Sequence, residues 1–493
     1  MTKRAPRPAP VTRVRCLNDA DVRPGGRYVL YWMIASRRLV HSFALEHAVA
    51  RAAESGLPLV VFEPLRVGYR HASPRFHAFV LQGMRENHEA LTAAGITSFP
   101  YVEPEPGAGQ GLLAALAADA ALVVTDDHPG FHYPAMLAAA ARQVGVRLEA
   151  VDGNGLAPLR DTDKTFSRAV DLRRHLQRTL PDHLQVVPLA DPLGSKVPLT
   201  GARIDSEIRR RWPAPSDALL AADPDALDAL PLDPQVGMVE AIGGPACGSE
   251  RLDTFLRRRL PRYVEDRRSI DESATSGLSP WLHFGHVGAH QVFDAIVRKE
   301  GWSRDELGDT AKGQREGWWG MSPEAEAFLD QLVTWRELGF RAALTTPAPD
   351  TYAAIPAWAR ASLEQHLGDE RPALYERDAL EAAATDDDLW NAAQCELLRD
   401  GVIHNQLRML WGKKVLSWTP DAESAFEVLV HLNDRWALDG RDPNSYSGIG
   451  WVLGRFDRPW APERPIYGRI RYMTSASALR KLDLDDYLER YRP

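Results

Sequence analysis

Between residues 27 and 152 the chain alternates short apolar runs with amphipathic ones, and this alternation restricts its fold more than any other feature. RYVLYWM (27–33) reads as a strand, FALEHAVARAAES as a helix and LPLVVFEP (57–64) as a second strand. In the next round FHAFVLQGMRENHEALTAAG is amphipathic and stops at glycine. ITSFPYV and ALVVTDD (121–127) then read as strands, PAMLAAAARQVG as a helix and RLEAVD (147–152) as a strand. Strands that are apolar throughout need cover on both faces, so this order predicts an α/β doubly wound parallel sheet with its ligand crevice at the strand C-termini. No GxGxxG or Walker A motif follows these strands, which leaves an ordinary dinucleotide or P-loop site unsupported.

The pattern then changes. From about 190 to 245 proline, aspartate and alanine dominate, as in ADPDALDALPLDPQVG, the composition of a connector. Beyond it the strand signal fades and helical patterns follow one another, among them EAEAFLDQLVTWRELGFRAAL, DLWNAAQCELLRDG, IHNQLRMLWGKKVLSW and AESAFEVLVHLNDRWALDG. A chain of 493 residues exceeds one ordinary core. The expected division is a flexible N-terminal arm (1–26), an α/β domain (27–190), a linker (191–245) and an all-helical domain (246–493).

No apolar run approaches the roughly 20 residues of a membrane span, and the basic, proline-rich N-terminus lacks the apolar core of a secretory signal. Cys16, Cys247 and Cys395 are widely separated and odd in number, which suits a reducing compartment. The expectation is a cytoplasmic protein with no membrane contact.

A net charge of −8 excludes a global basic field, so any nucleic-acid contact must be local. Residues 455–481 carry seven Lys/Arg against two Asp/Glu, interleaved with Phe456, Trp460, Tyr467 and Tyr472. SATSGLSPWLHFGH (273–286) places hydroxyls and glycine before a helix, a setting for a phosphate or simply an N-cap. His283, His286 and His290 stand at spacings of three and four, without the HExxH carboxylate that would favour a metal. In VTWRELGF, Glu337 sits in an apolar helix, either as an ion pair or as a hydrogen-bond partner for a bound heterocycle.

From 431 to 460, Asn433, Asp434, Asp439, Arg441, Asp442 and Asn444 crowd one helix end before Trp451 and Trp460. Amides and carboxylates can grip the imide edge of a flavin or pyrimidine, and indoles stack on unpaired bases. In RMLWGKKVLSW, Trp411 and Trp418 lie within roughly 20° of one helical face and about 10 Å apart along the axis. Such a stripe serves a core as readily as a function.

Taken together, LNDRWALDGRDPN, ERPIYGRIRYM, SGLSPWLHFG, LWNAAQCELLRDG, RMLWGKK and YVLYWM resemble the class II cyclobutane pyrimidine dimer photolyases of the photolyase/cryptochrome family. The resemblance covers about 27 to 490. It implies an antenna-type α/β domain, a helical FAD-binding domain and light-driven repair of a dimer flipped out of UV-damaged DNA by a monomeric lyase. It assigns Tyr263, Thr275, Ser276, Leu278 and Ser279 to the FAD phosphates, Asn433 to the reactive flavin nitrogen, and Asp439, Asp442 and Asn444 to the isoalloxazine. Glu337 would face the lesion, and Trp451 and Trp460 would line its pocket. Arg455, Arg458, Arg464 and Arg469 would meet flanking phosphates, and Trp390, Trp411 and Trp418 would relay electrons to the flavin. A second chromophore, 8-hydroxy-5-deazaflavin or methenyltetrahydrofolate, would occupy the antenna domain; no metal is implied. The same flavin and relay would also serve a cryptochrome-like photoreceptor without repair activity.

Overall fold

The computed structural model describes residues 5–194, 199–270 and 274–493. Residues 1–4 of the expected arm, 195–198 of the connector and Ser273 lie outside the described residues. The chain forms two compact units from interleaved segments: Met1–Thr162, Arg178–Asp253 and Gly277–Leu307 in the first, and Asp163–Gln177, Thr254–Ser276 and Gly308–Pro493 in the second.

The first unit holds a six-stranded sheet of β1 (Val14–Cys16), β2 (Tyr28–Trp32), β3 (Leu59–Leu65), β4 (Thr97–Val102), β5 (Ala120–Asp126) and β6 (Leu148–Val151), in the order β1-β6-β5-β2-β3-β4. Every pairing is parallel except that of β1 with β6. Strand β2 is buried at every residue because Tyr28, Leu30 and Trp32 pack with Leu116 and Leu137 on one face and Val29 and Tyr31 with Leu45 and Val49 on the other, which is why its sequence does not alternate. Helices α1 (Phe43–Ser55), α2 (Pro74–Ala93), α3 (Leu112–Asp119) and α4 (Tyr133–Gln143) make the connections.

The N-terminal segment is more ordered than an arm. Beyond β1, the backbone N–H of Ala9 donates to His47 Nδ1 at 2.9 Å. A three-residue strand is too short to show periodicity inside a basic, proline-rich stretch.

Adjacent β2 and β5 form the topological switch point, the expected ligand crevice. Here Asp126, at the end of β5, accepts the N–H groups of Ile34, Ala35 and Ser36 at 2.9, 2.8 and 3.0 Å on one oxygen. The Tyr31 hydroxyl donates to its other oxygen at 3.0 Å. A carboxylate of the protein thus takes the backbone donors that elsewhere hold a phosphate.

The connector is not a loose wrap. Leu220, Leu227 and Ala222 join Leu81 and Met84 of α2 in one apolar cluster. Gln82 and Glu86, one turn apart on α2, accept the N–H groups of Gly243 and Ala246 at 2.6 and 2.8 Å.

In the second unit five helices matter most: α5 (Arg336–Thr345), α6 (Asp388–Asp400), α7 (Asn405–Trp418), α8 (Ala422–Trp436) and α9 (Pro443–Val452). Asp387 caps α6 and Asp421 caps α8 through side-chain acceptance of N–H groups. Among the described residues, no helix is long and apolar enough to cross a membrane.

Candidate functional site

Helix α8 ends in a tight reversal that the sequence LDGRDPN builds residue by residue. The N–H groups of Ala437 and Gly440 donate to Asn433 O and Ala437 O, both at 2.9 Å. A Cβ at Gly440 would stand 2.5 Å from Asn433 O, so only glycine fits. Arg441 takes a left-handed φ of 63°, a strained conformation for a residue with a side chain. Its N–H donates to Asp434 at 3.0 Å, which holds it there.

Asp434 is the hub of this turn. It also accepts from the Tyr446 hydroxyl at 2.9 Å and from Asn433 Nδ2 at 3.3 Å. Burial pushes its carboxyl pKa up, and these donors with the Arg441 guanidinium pull against that rise. Asp442 then caps α9, accepting from the Asn444 N–H at 2.8 Å and Asn444 Nδ2 at 2.9 Å. Asp439 pairs with Arg408 of α7 at 3.0 Å. One turn therefore assembles Asn433, Asp439, Asp442 and Asn444. Asp434 and Arg408, to which the family resemblance gives no role, complete it. Asp434 adjoins Asn433 in the motif and was legible; Arg408, 31 residues before Asp439, was not.

Helix α5 packs against α9. At Gly339 a Cβ would lie 2.6 Å from Asn444 Oδ1 and 3.0 Å from Ser447 Oγ, so glycine permits the close approach. Glu337, on the same helix, is buried with Arg341 at 4.0 Å.

The tryptophans of RMLWGKKVLSW belong to the core and stand in a series of ring contacts. Trp390 of α6 stacks on Trp411 with centroids 6.3 Å apart and planes 4° from parallel, and meets Trp418 edge-on at 5.5 Å. All three are buried. Trp390 Nε1 donates to Trp411 O, and Trp411 Nε1 to Gln394 Oε1, each at 3.0 Å, which fixes both indole planes.

Beyond α9, Arg471 lies over both Trp451 and Trp460, at 5.5 and 5.3 Å from the ring centroids, and Arg458 lies 4.9 Å from the Trp460 ring. Under this layer Lys413 is fully buried, donating to Val452 O, and its Nζ stands 5.9 Å from the Trp451 centroid. Burial lowers its pKa to about 7. Arg458, Arg464 and Arg469 are exposed, whereas Arg455 is buried and spends its guanidinium on Pro349 O and Thr346 Oγ1 at 3.2 and 3.0 Å. Arg455 therefore braces the scaffold.

Of the residues matched to the FAD phosphates, Tyr263, Thr275 and Ser276 fall in the second unit and Leu278 and Ser279 in the first. Tyr263 is wedged edge-on against Phe328 at 5.4 Å, and Thr275 O accepts from Arg259 at 3.1 Å. Ser279 opens a helix of a single turn, Ser279–His283.

The histidines serve packing. His286 accepts the Gly244 N–H at 2.9 Å and stacks on Phe79, and His290 meets Phe43 edge-on at 5.1 Å. Among the described residues no group of three or more His, Cys, Asp or Glu could hold a metal ion.

No family model matches the chain. It is, however, 31% identical over 487 residues to a deoxyribodipyrimidine photo-lyase of Methanothermobacter thermautotrophicus, covering 97% of this chain and 98% of that protein. To the enzyme of the same description from Oryza sativa subsp. japonica it is 33% identical, covering 97% and 90%. The chain belongs to the photolyase/cryptochrome family. A bacterial class III photolyase from Agrobacterium tumefaciens has the same fold, with a TM-score of 0.69 at 17% identity over 95% of this chain and 87% of that one.

Photolyase membership implies a flavin, and the second unit fits one. The turn around Asp434 brings amides, carboxylates and a guanidinium together, groups that complement the imide N–H and carbonyls of a flavin ring.

Proposed function

We propose that this chain is a light-driven lyase that repairs cyclobutane pyrimidine dimers in DNA, of the class II type. The observation that carries this reading is the gathering, in one unit, of a carboxylate-amide turn, a helix packed on it that carries buried Glu337, and three tryptophans in ring contact. A bound reduced FAD would supply the light-driven electron that opens the cyclobutane ring. Asn433, Asp439, Asp442 and Asn444 would hold its ring system, and Tyr263, Thr275 and Ser276 of the same unit its phosphates.

The protein's own part is recognition and placement. Glu337, sealed from water, would hydrogen-bond the extruded pyrimidine and stabilise charge arriving on it. Trp451 and Trp460, braced by Arg471, would pack the dimer, at about 1–3 kcal/mol per stacked base. A dimer is already poorly stacked in the duplex, which lowers the cost of extruding it. Arg458, Arg464 and Arg469 would meet the flanking phosphates. Trp411, Trp390 and Trp418 would refill an oxidised flavin with electrons. The protein would act as a monomer in the cytoplasm, on nucleoid DNA, with a second chromophore of either deazaflavin or folate type in the sheet unit.

The test is to illuminate the reduced protein with a dimer-containing oligonucleotide and assay restored thymines against a dark control. Restoration only in the light is expected. Flavin photoreduction without restoration would instead mark a photoreceptor that uses the same relay.

A further inference from the structure

The two indoles read as the walls of the dimer pocket share one buried support. Lys413 of α7 has no contact with solvent, and its amine donates to Val452 O, the carbonyl that ends α9. The same Nζ stands 5.9 Å from the centroid of Trp451, one residue earlier on that helix. Beyond α9, the Asp457 carboxylate acts on Lys413 through space and accepts from Trp460 Nε1 at 3.0 Å. Arg471 lies over both rings and also bears on Lys413. Gly412 permits this closeness, since a Cβ there would stand 2.6 Å from Val452 Cγ2. The Tyr467 hydroxyl donates to Lys413 O at 2.9 Å and ties the 463–473 segment to the same residue.

We propose that Lys413 is a positioning residue for lesion recognition: its charged amine holds Trp451 directly and Trp460 through Asp457, and it takes up a proton when damaged DNA binds. The inference rests on the reading of Trp451 and Trp460 as the dimer pocket.

Taking an amine out of water is costly, and an apolar side chain of equal length would fill the same space without that cost. The surroundings of Lys413 offset it. Val452 O can accept from the amine in either protonation state, but the Trp451 ring face and the Asp457 carboxylate favour only the ammonium. Loss of the charge therefore loosens the hold on both indoles while the contact between α7 and α9 persists. Lys414, the next residue, turns away to Asp387 at 3.0 Å and to the Trp418 ring, so it does not share this task.

Burial lowers the Lys413 pKa to about 7, with Asp457 opposing that fall and Arg471 adding to it. Arg471 is exposed, and the phosphates of a bound strand would offset its charge. The repulsion on Lys413 then eases, its pKa rises in the complex, and a proton from solvent joins Nζ. Affinity is accordingly highest below pH 7, where the amine is already charged, and falls as pH rises through 7 toward the pKa of the complex.

The test is fluorescence anisotropy of a dimer-containing oligonucleotide with the flavin-loaded protein, in the dark and at fixed salt. Native affinity should fall about tenfold from about pH 6 to 9. Lys413→Met, of similar volume but uncharged, should bind severalfold more weakly than native at the acid end and lose most of that fall. Asp457→Asn keeps an acceptor for Trp460 Nε1 but removes the carboxylate charge, and should move the midpoint of the fall to lower pH. Circular dichroism and flavin absorbance verify that each variant is folded and loaded. An affinity loss in Lys413→Met that is equal at every pH means packing alone and overturns the proposal. An unmoved midpoint in Asp457→Asn overturns it too, and decides the matter if Lys413→Met does not fold. An undamaged oligonucleotide separates the two levels: native protein that binds it as tightly as the dimer removes the pocket reading and the proposal together, whereas preference for the dimer with a flat pH profile overturns the proposal alone.

Discussion

Asp126 in the sheet unit and Asp434 in the helical unit are both buried carboxyls that accept backbone N–H, three groups at Asp126 and one at Asp434, but to opposite ends. Asp126 takes three donors at the switch point and leaves them for no ligand. Asp434 accepts the N–H of strained Arg441 and so shapes a turn that brings Asn433, Asp439, Asp442 and Asn444 together. The same device closes one place and builds another. A fold's usual ligand crevice is thus a matter of which side chain stands there, not of topology alone.

The sharpest way to break this comparison is Asp126→Ala. With three backbone N–H groups and a buried tyrosine hydroxyl losing their acceptor, denaturant unfolding should show a loss of about 3–5 kcal/mol, with flavin content of the surviving folded protein unchanged. Flavin loss in proportion would mean that the sheet crevice serves the cofactor after all. Next, Trp411→Phe should slow photoreduction of oxidised flavin by about a hundredfold, worth about 2.7 kcal/mol on the barrier. Native photoreduction rates would reduce the tryptophans to packing.

Asp434→Ala should cost about 2 kcal/mol and, unlike the Asp126 change, release the flavin, read by its absorbance after gel filtration. Retained flavin would show that the turn holds without its hub. The smallest effect sets two glutamates against each other by pH. Burial would raise Glu149 in the sheet unit, but hydrogen bonds from His47 and Arg147 hold it down to about 2. Burial raises Glu396 in the helical unit to about 7 against donors that include Tyr487. Glu149 therefore contributes stability above its unfolded pKa of about 4.3, which is lost as pH falls toward 2. The Glu396 site is most favourable below about 4.3 and weakens as pH rises through 7. Glu396→Gln should flatten a decline of about 1–2 kcal/mol between pH 5 and 8, and Glu149→Gln should leave that decline intact. A decline that survives Glu396→Gln assigns it elsewhere.

Much of this was legible from residue order. Strand β2 is apolar throughout because it is buried on both faces, and LDGRDPN carries its glycine, its cap and its proline in sequence. What escaped was set by distance along the chain. The Arg408–Asp439 pair joins residues 31 apart, and Tyr375 meets Trp418 across 43 residues that carry no shared motif. The three-residue β1 and the stitching of the connector to α2 were hidden for another reason. Proline-rich composition predicts a lack of regular structure, but backbone N–H groups can still be satisfied by side chains such as Gln82 and Glu86.

The interleaving of the two units also orders events during synthesis. The sheet unit draws on residues as far as Leu307, and the helical unit holds Asp163–Gln177 from much earlier in the chain. A ribosome must therefore emit more than half of the polypeptide before the sheet unit can close, while an early helical segment waits for partners not yet translated. A cut anywhere between codons 163 and 307 leaves neither unit whole.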